Sequence, residues 1–293
     1  MSELKKIAVL GGGTMGNGIA QICAAAGYEV SLVEVDQVAL DRALGRIKDS
    51  LARFVKSGKM TQEVADSTHR SIRPVTSFAD IGNEVDMVIE AVPEVLDIKK
   101  SVFEMLSRET QPGTILATNT SQLSITNIAS AASRPEDVIG VHFFNPPVLM
   151  RLVEVIRGVK TSDRALETVL GLVTRLGKEA AVCKRDTVGF ITTRAATALR
   201  LECLRMYEEG VASIEDIDRA MRLGFNHPMG PFELNDYNGL DVAYNGAKSL
   251  REAYGERFAP PQSLTARVAA GMLGRKTGQG WYDHSGEKPV PIN

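Results

Sequence analysis

Cysteine is scarce in this 293-residue chain, which contains only Cys23, Cys183 and Cys203. The three are far apart, form no C-x-x-C pair and show no Cys/His spacing of a metal site. A disulfide framework and a zinc-type centre are therefore excluded from our interpretation. We expect three small buried side chains, no metal and a reducing compartment.

The chain also lacks an excess of charge of either sign and an apolar run long enough to cross a membrane. Its 34 lysines and arginines nearly balance 36 acidic residues. This balance argues against binding to nucleic acid or to a membrane surface. Because the N-terminus runs almost at once into a strand pattern, we expect no targeting segment and a soluble, cytoplasmic protein.

What the chain does contain is a long alternation of strand and helix patterns. A β-α-β unit fills the first 36 residues, and residues 38–70 predict two helices outside the sheet. Further strands are expected at 86–92, 114–121, 138–144, 152–158 and 180–184, with helices between them. The pattern predicts an α/β fold, a Rossmann-type doubly wound sheet with a helical excursion.

Beyond residue 185 the pattern becomes helical, with long runs at 189–210, 214–223 and 232–254. The length and the 44% hydrophobic content suit two domains. We therefore predict a Rossmann-type domain at 1–185 and an all-α domain at 186–293, and we expect the tail after residue 284 to fray.

A glycine motif, Gly11-x-Gly13-x-x-Gly16, lies between the first strand and the first helix, with Thr14 and Met15 inside it. Gly11 allows the tight turn, Gly13 lets backbone N–H groups reach a pyrophosphate, and Gly16 lets helix pack on strand. The motif alone is weak evidence. Its position after a strand and before a helix is the context that dinucleotide binding requires.

An acidic residue, Glu34, ends the second strand eighteen residues after Gly16. Its carboxylate can accept hydrogen bonds from both ribose hydroxyls but would repel a 2′-phosphate, and the next arginine is Arg42. NAD is therefore favoured over NADP as cofactor. The alternative is that Glu34 is an ordinary solvated strand end.

His142 and Glu154 lie near the ends of two apolar runs that are joined by "NPPVLM". If the runs pair as antiparallel neighbours, the carboxylate meets the imidazole, stabilises its protonated form and fixes which ring nitrogen faces a substrate. Such a pair can take a proton from an alcohol as hydride leaves for nicotinamide. The alternative is a buried histidine bonded to the backbone, with Glu154 as a structural partner.

Six segments of the chain, taken in order, carry a family resemblance. They are VLGGGTMGNGIAQ, VIEAVPE, ATNTSQLSIT, VIGVHFFNPPVLMRLVEVIRG, IDRAMRLGFNHPMGPFELNDYNGLD and LGRKTGQGWYD. Together they resemble the 3-hydroxyacyl-CoA dehydrogenase family, most closely its single-function bacterial members. The resemblance implies NAD-dependent, reversible oxidation of an L-3-hydroxyacyl-CoA, such as 3-hydroxybutyryl-CoA, to the 3-ketoacyl-CoA in the β-oxidation of fatty acids.

The resemblance also implies roles for individual residues. His142 would be the general acid and base, Glu154 its orienting carboxylate, and Ser121 the residue that hydrogen-bonds the reacting oxygen. Asn119 and Asn145 would help to position nicotinamide and substrate. The alternative for Ser121 is a helix N-cap ahead of "LSIT".

By the same matching, Glu94, Lys99 and Lys276 would contact the cofactor. The sequence alone would place both lysines at the solvated surface.

Coenzyme A carries phosphates at its adenosine end, which needs a basic receiver. The resemblance places that end against the helical excursion, where Lys56 and Lys59 flank Ser-Gly and Ser50 lies nearby. A solvated charged face is the alternative for the two lysines.

The match departs from the family at the entry to the second domain. The family's Asp-x-Pro-Gly-Phe motif ends in an asparagine that contributes to the active site, whereas this chain reads "DTVGFITTR". Val188 replaces the proline, and Thr193 stands at the asparagine position, with one hydroxyl in place of an amide. Thr193 is therefore either a working substitute that alters substrate preference or a sign of reduced activity.

Two other functions stay open. The chain could be a dehydrogenase of a free hydroxy acid, of the lambda-crystallin or gulonate type, or a non-catalytic NAD-binding protein. A hydroxyisobutyrate-type enzyme is disfavoured, because "VGFITTRAATALRLE" offers no lysine. The apolar residues around much of that helix predict a homodimer formed through residues 186–293.

Overall fold

The computed structural model describes residues 4–81 and 85–292. The described residues divide into two compact units, the first ending at Phe190 and the second beginning at Ile191. The sequence predicts a boundary at residue 185. The first unit extends to Phe190 because that side chain is buried in the apolar cluster on one face of its sheet.

The first unit is built on a single mixed sheet. Its strands are Lys6–Leu10 (β1), Glu29–Val33 (β2), Ile72–Val75 (β3), Met87–Glu90 (β4), Ile115–Thr118 (β5), Val138–Phe143 (β6), Leu152–Ile156 (β7) and Glu179–Cys183 (β8). Its helices are Gly16–Ala25 (α1), Gln37–Lys56 (α2), Gln62–Arg70 (α3), Leu96–Glu109 (α4), Ile125–Ala129 (α5) and Asp163–Arg175 (α6).

Among the described residues, the strand order is β3-β2-β1-β4-β5-β6-β7-β8. All neighbours are parallel except β6 and β7, which are antiparallel. The order reverses at β1, so a crevice opens at the carboxyl ends of β1 and β4. The predicted Rossmann-type doubly wound sheet with a helical excursion is confirmed.

Burial on both faces explains why the central strands β1, β4, β5 and β6 form almost unbroken apolar runs in the sequence. Along β1, Ile7 and Val9 belong to the apolar cluster on one face, and Ala8 and Leu10 to the cluster on the other. Alternate side chains of a strand point to opposite faces, so both faces must be covered. Helices on each side provide that cover.

Strand β3 is absent from the sequence-based prediction. Its four residues include Arg73 and Pro74, both exposed, and only its first and last side chains are buried. Proline is tolerated there because β3 is the edge strand of the sheet. A short strand with an apolar residue only at each end carries too little periodicity to recognise.

The second unit is mainly helical. Its elements are Thr192–Glu208 (α7), Ile214–Phe225 (α8), Pro231–Asn238 (α9), Leu240–Tyr254 (α10), Gln262–Ala269 (α11), Tyr282–Asp283 (β9) and Val290–Pro291 (β10). The expected helix 232–254 is two helices, since Gly239 adopts a φ of +102° between α9 and α10.

The prediction of a helical second domain is confirmed apart from a small ribbon, in which β9 and β10 pair antiparallel. The expected fraying of the tail is wrong for residues 290–292. Val290 and Pro291 form β10, and the backbone N–H of Ile292 donates to the carbonyl of Trp281 at 2.8 Å. In the described part of the chain, no helix is both long and apolar enough to span a membrane.

Candidate active site

The glycine motif forms the turn from β1 into α1. Gly11 has a φ of +92°, and a Cβ there would lie 2.9 Å from the carbonyl oxygen of Ala91. A Cβ on Gly16 would lie 1.7 Å from the carbonyl oxygen of Gly11, whereas one on Gly13 would meet nothing within 4 Å. The first and last glycines are therefore required by the fold, and the middle one borders open space.

This loop fits the pyrophosphate of a dinucleotide. Thr14 and Met15 lead into α1, which has no side-chain cap, so no capping side chain competes with an anion for the backbone N–H groups of its first turn. The open space beside Gly13 lets a ligand approach the backbone closely.

Glu34 follows β2 and joins the loop. Its Oε1 accepts a hydrogen bond from the backbone N–H of Gly12 at 2.7 Å, and its Oε2 accepts one from Val35 at 3.1 Å. The carboxylate is therefore held by backbone donors, which is more than an ordinary solvated strand end requires. It places negative charge beside the loop, where a 2′-phosphate would be repelled.

His142 and Glu154 face each other across the antiparallel pair β6 and β7, where they are direct register partners. His142 Nδ1 lies 2.8 Å from Glu154 Oε2, and the two side chains are 8% and 0% exposed. A carboxylate at Nδ1 favours the tautomer with its proton there, which leaves the Nε2 lone pair as the basic position. The antiparallel pairing of the two runs, which was the condition for this contact in the sequence, is observed.

Aromatic rings enclose the imidazole. The ring centroid of Phe144 lies 4.5 Å from that of His142, and the centroid of Phe190 lies 6.0 Å away. Phe190 has a positive φ of 48°, which is uncommon for a bulky side chain. These contacts limit the rotation of the imidazole and shield its pair with Glu154 from water.

Asn119 and Ser121 follow β5 at the same edge of the sheet. Asn119 Oδ1 accepts a hydrogen bond from the backbone N–H of Phe143 at 3.0 Å, one residue beyond the histidine. Ser121 is exposed, and its backbone N–H donates to Glu94 Oε1 at 2.9 Å. The N-cap of α5 is Ser124, so the alternative of Ser121 as that cap is wrong.

Lys99 is fully buried, and the expectation of a solvated surface charge is wrong for it. Its Nζ lies 2.6 Å from Glu90 Oε1 and 3.5 Å from Glu94 Oε2, and it donates to the carbonyl oxygen of Asn119 at 3.1 Å. The sequence does not single out Glu90, because it is one polar residue at the end of an apolar strand pattern.

The loop that joins β6 to β7 carries Asn145, which is exposed. Lys178, which the sequence did not single out, holds this loop. Its Nζ donates to the carbonyl oxygens of Pro147 at 2.7 Å and Met150 at 2.6 Å. Burial lowers the pKa of Lys178. No sequence signal marks Lys178, since both acceptors are backbone atoms about thirty residues earlier.

The residues expected at the adenosine end of coenzyme A differ in exposure. Lys56, the last residue of α2, and Lys59, in the turn that follows, are exposed. Ser50 is buried, at 7% exposure. The two lysines are thus available to a phosphate, whereas the Ser50 side chain lies largely within the packed face of α2.

Two expected site residues belong to the second unit. Thr193 lies in the first turn of α7 and is half-buried. Lys276 forms an ion pair with Asp241, in the first turn of α10, and keeps 45% of its side chain exposed. Lys276 is the largest cause of the lowered pKa of Asp241.

Comparison with known proteins gives consistent matches over almost the whole chain. The family described as "3-hydroxyacyl-CoA dehydrogenase, NAD binding domain" matches residues 6–187, and the corresponding C-terminal domain matches residues 189–284. A 3-hydroxybutyryl-CoA dehydrogenase of Bradyrhizobium diazoefficiens is 40% identical over 289 residues, covering 98% of each chain.

The human mitochondrial hydroxyacyl-coenzyme A dehydrogenase is 40% identical over 288 residues, covering 96% of this chain and 91% of its own. Among solved structures, the (S)-3-hydroxybutyryl-CoA dehydrogenase of Ralstonia eutropha superimposes with a TM-score of 0.94 at 38% identity. That alignment covers 97% of this chain and 100% of the other.

Proposed function

The chain belongs to the 3-hydroxyacyl-CoA dehydrogenase family, and from this membership we propose that it catalyses the reversible, NAD-dependent oxidation of an L-3-hydroxyacyl-CoA to the 3-ketoacyl-CoA. The observation that carries the proposal is the buried contact of His142 Nδ1 with Glu154 Oε2 at 2.8 Å. A short acyl chain such as 3-hydroxybutyryl is the substrate that we favour.

In the oxidation, His142 Nε2 removes the proton of the hydroxyl group while hydride leaves the carbon that bears this group. Glu154 stabilises the imidazolium that forms and keeps Nε2 directed at the substrate. The Ser121 hydroxyl hydrogen-bonds the reacting oxygen. NAD, when bound, supplies the hydride acceptor. In the reverse direction the imidazolium returns its proton to the oxygen.

The cofactor is held mainly by the glycine loop and Glu34. Asn119 and Asn145 position the nicotinamide, and Glu94 and Lys276 complete the cofactor contacts in this proposal. Lys99, expected from the resemblance to contact the cofactor, is 0% exposed, so we propose that it acts on the cofactor through Glu94 and Asn119. The backbone-bound carboxylate of Glu34 supports NAD over NADP.

Coenzyme A is received by the exposed Lys56, at the end of α2, and by Lys59, in the turn that follows, with Ser50 earlier in α2. Thr193 replaces the family asparagine as a donor to the substrate. Threonine is shorter and has a single hydroxyl, so we propose that it changes acyl-chain preference and leaves the reaction type intact. The variant Thr193→Asn tests this, with kcat/KM compared over a series of acyl-CoA lengths.

The first experiment is NADH consumption with acetoacetyl-CoA against free acetoacetate, with wild type and His142→Ala in parallel. We expect turnover that requires the thioester and collapses in the variant. Turnover with the free acid would indicate a hydroxy-acid dehydrogenase. Saturable NADH binding without turnover of either substrate would indicate a non-catalytic NAD-binding protein.

We further propose a cytoplasmic homodimer formed through residues 186–293. Large apolar side chains exposed in the second unit support it, among them Leu223 at 80% and Phe225 at 72%. The measurement is light scattering at micromolar concentration. A mass of one 31.7 kDa chain would exclude the dimer.

A further inference from the structure

Glu90 ends β4 with a fully buried carboxylate that has three donors. Its Oε1 accepts hydrogen bonds from Lys99 Nζ at 2.6 Å and from the backbone N–H of Val92 at 2.7 Å. Its Oε2 accepts one from Thr118 Oγ1 at 2.7 Å. Glu90 and Lys99 are both 0% exposed.

The fold alone does not call for this pair. The three preceding residues of β4, Met87, Val88 and Ile89, are fully buried and apolar, and an apolar residue at position 90 would continue their pattern. Burying two charges is costly, and a well-packed apolar pair is often as stable. Desolvation raises the pKa of Glu90, and the charge of Lys99 opposes that shift. A contribution to the stability of the fold therefore does not explain why Glu90 and Lys99 are buried as a pair.

Lys99 connects Glu90 to the segment that follows β5. Its ammonium donates to the carbonyl oxygen of Asn119 at 3.1 Å and lies 3.5 Å from Glu94 Oε2. Glu94 Oε1 in turn accepts hydrogen bonds from Thr120 Oγ1 at 2.6 Å and from the backbone N–H of Ser121 at 2.9 Å. The ammonium thus holds residues 119–121 by two routes.

The same segment is tied to the histidine strand. Asn119 Oδ1 accepts from the backbone N–H of Phe143 at 3.0 Å, next to His142. A continuous series of hydrogen bonds and ion pairs therefore runs from Glu90 through Lys99 to Asn119 and on to β6.

We infer that Glu90 is a positioning residue: through its buried pair with Lys99 it fixes Asn119 and Ser121 relative to His142, although it touches neither substrate nor cofactor. This inference rests on the proposed dehydrogenase function. Hydride and proton transfer require the reacting groups to be held closely, and a displacement of about 1 Å can lower the rate about 100-fold. A buried ion pair with fixed geometry supplies that rigidity.

The main test is Glu90→Gln, which keeps the side-chain size but leaves the Lys99 charge without its carboxylate. We expect kcat with acetoacetyl-CoA and NADH to fall about 10- to 100-fold. The KM for acetoacetyl-CoA and the calorimetric affinity for NADH change less than kcat, because Glu90 contacts neither ligand. The control is Glu104→Gln on the same helix as Lys99, whose pair with Arg108 is exposed. It leaves all three quantities unchanged.

The double variant Glu90→Gln/Lys99→Met separates positioning from stability. It removes both buried charges, so we expect its unfolding midpoint to recover relative to Glu90→Gln. Its kcat stays low, since nothing then holds the Asn119 carbonyl and Glu94. Recovery of kcat together with stability would show that the pair is merely structural.

A milder pair of variants serves if Glu90→Gln does not fold. Thr118→Val removes one donor to Glu90 without a change of charge, and we expect kcat to fall about 3- to 10-fold, the scale of one hydrogen bond. Thr118→Ser keeps the hydroxyl and restores the rate. Equal rates in both variants would overturn the inference, as would wild-type kcat in folded Glu90→Gln. If the wild-type chain itself shows no turnover, the proposed function fails first and this inference fails with it.

Discussion

The two units bury carboxylates to the same extent but surround them with different partners. In the first unit, Glu90 and Glu154 are 0% exposed, and each is paired with a basic side chain. In the second, Asp218 and Asp236 are each 1% exposed, and each accepts two backbone N–H groups, while His284 Nε2 also lies 2.9 Å from Asp236 Oδ2. We expect paired backbone donors, and not the absence of a basic partner, to distinguish the carboxylates that hold the chain from those that we propose to serve the reaction.

The second unit shows what a purely architectural carboxylate requires. Asp218 accepts the N–H groups of Phe232 and Glu233, and a Cβ on Gly230 would lie 2.2 Å from its Cγ. Asp236 accepts those of Trp281 and Tyr282, and a Cβ on Gly280 would lie 2.1 Å from its Oδ1. The glycines therefore let the backbone close over each carboxylate. We therefore expect substitutions at the paired carboxylates of the first unit to lower kcat. Substitutions at the carboxylates of the second unit should lower the free energy of unfolding.

The largest effect is expected for His142→Gln in the first unit. Glutamine keeps an amide donor for Glu154, so the buried carboxylate is not left without a partner, but it cannot exchange a proton near neutral pH. We expect kcat to fall about 10²- to 10⁴-fold, the usual contribution of a general base. The measurement is steady-state NADH oxidation together with urea unfolding. A loss of stability without a loss of kcat would contradict the comparison.

A large effect on stability, and not on kcat, is expected for Asp236→Ala. The variant leaves the N–H groups of Trp281 and Tyr282 and the imidazole of His284 without their acceptor. We expect the free energy of unfolding to fall by about 3 to 5 kcal/mol, as for other broken buried pairs. Urea unfolding followed by circular dichroism measures it. A change below about 1 kcal/mol would show that the carboxylate is dispensable.

A smaller effect is expected from Asp218, on the pH dependence of the free energy of unfolding. Burial raises the pKa of this carboxyl group from 3.8 to about 6. Between these values the folded state holds a proton that the unfolded state has lost, so stability from this group falls as pH rises and is constant above about 6. The full change is at most about 3 kcal/mol. We expect it in the difference between wild type and Asp218→Asn, measured by urea unfolding across this range. A difference that is independent of pH would refute it.

The smallest effect is expected for Lys276→Met, which breaks a partly exposed ion pair with Asp241. Pairs of this kind contribute about 0 to 1 kcal/mol, so the unfolding free energy should hardly change. The pKa of Asp241, which Lys276 lowers, should rise towards its ordinary value. An NMR titration of Asp241 in both proteins checks the shift. An unchanged pKa would show that the ion pair does not form in solution.

The sequence predicts those features that depend on neighbouring residues along the chain or on the regular pairing of strands. The glycine loop follows from residues 11–16 alone, and the contact of His142 with Glu154 follows once two apolar runs pair as antiparallel neighbours. Both rest on short-range rules of strand and turn geometry.

The remainder depended on partners distant in sequence. Lys99 looks like a surface charge until Glu90 and the Asn119 carbonyl are seen around it, and Lys178 binds carbonyls that carry no side-chain signal. Strand β3 forms by pairing at the edge of the sheet, and its own hydrophobic pattern does not predict it. A sequence pattern reveals that a residue is polar, but only the fold reveals whether water can reach it.

Trp281 is the single tryptophan of the chain, and it is fully buried in the second unit. Its indole ring packs edge-on against Phe232, with ring centroids 4.9 Å apart, and Arg267 Cζ lies 4.1 Å from the indole centroid. Tryptophan emission therefore reports on the second unit alone, while far-ultraviolet dichroism reports on both. Non-coincident transitions of the two signals would show that the units unfold in separate steps.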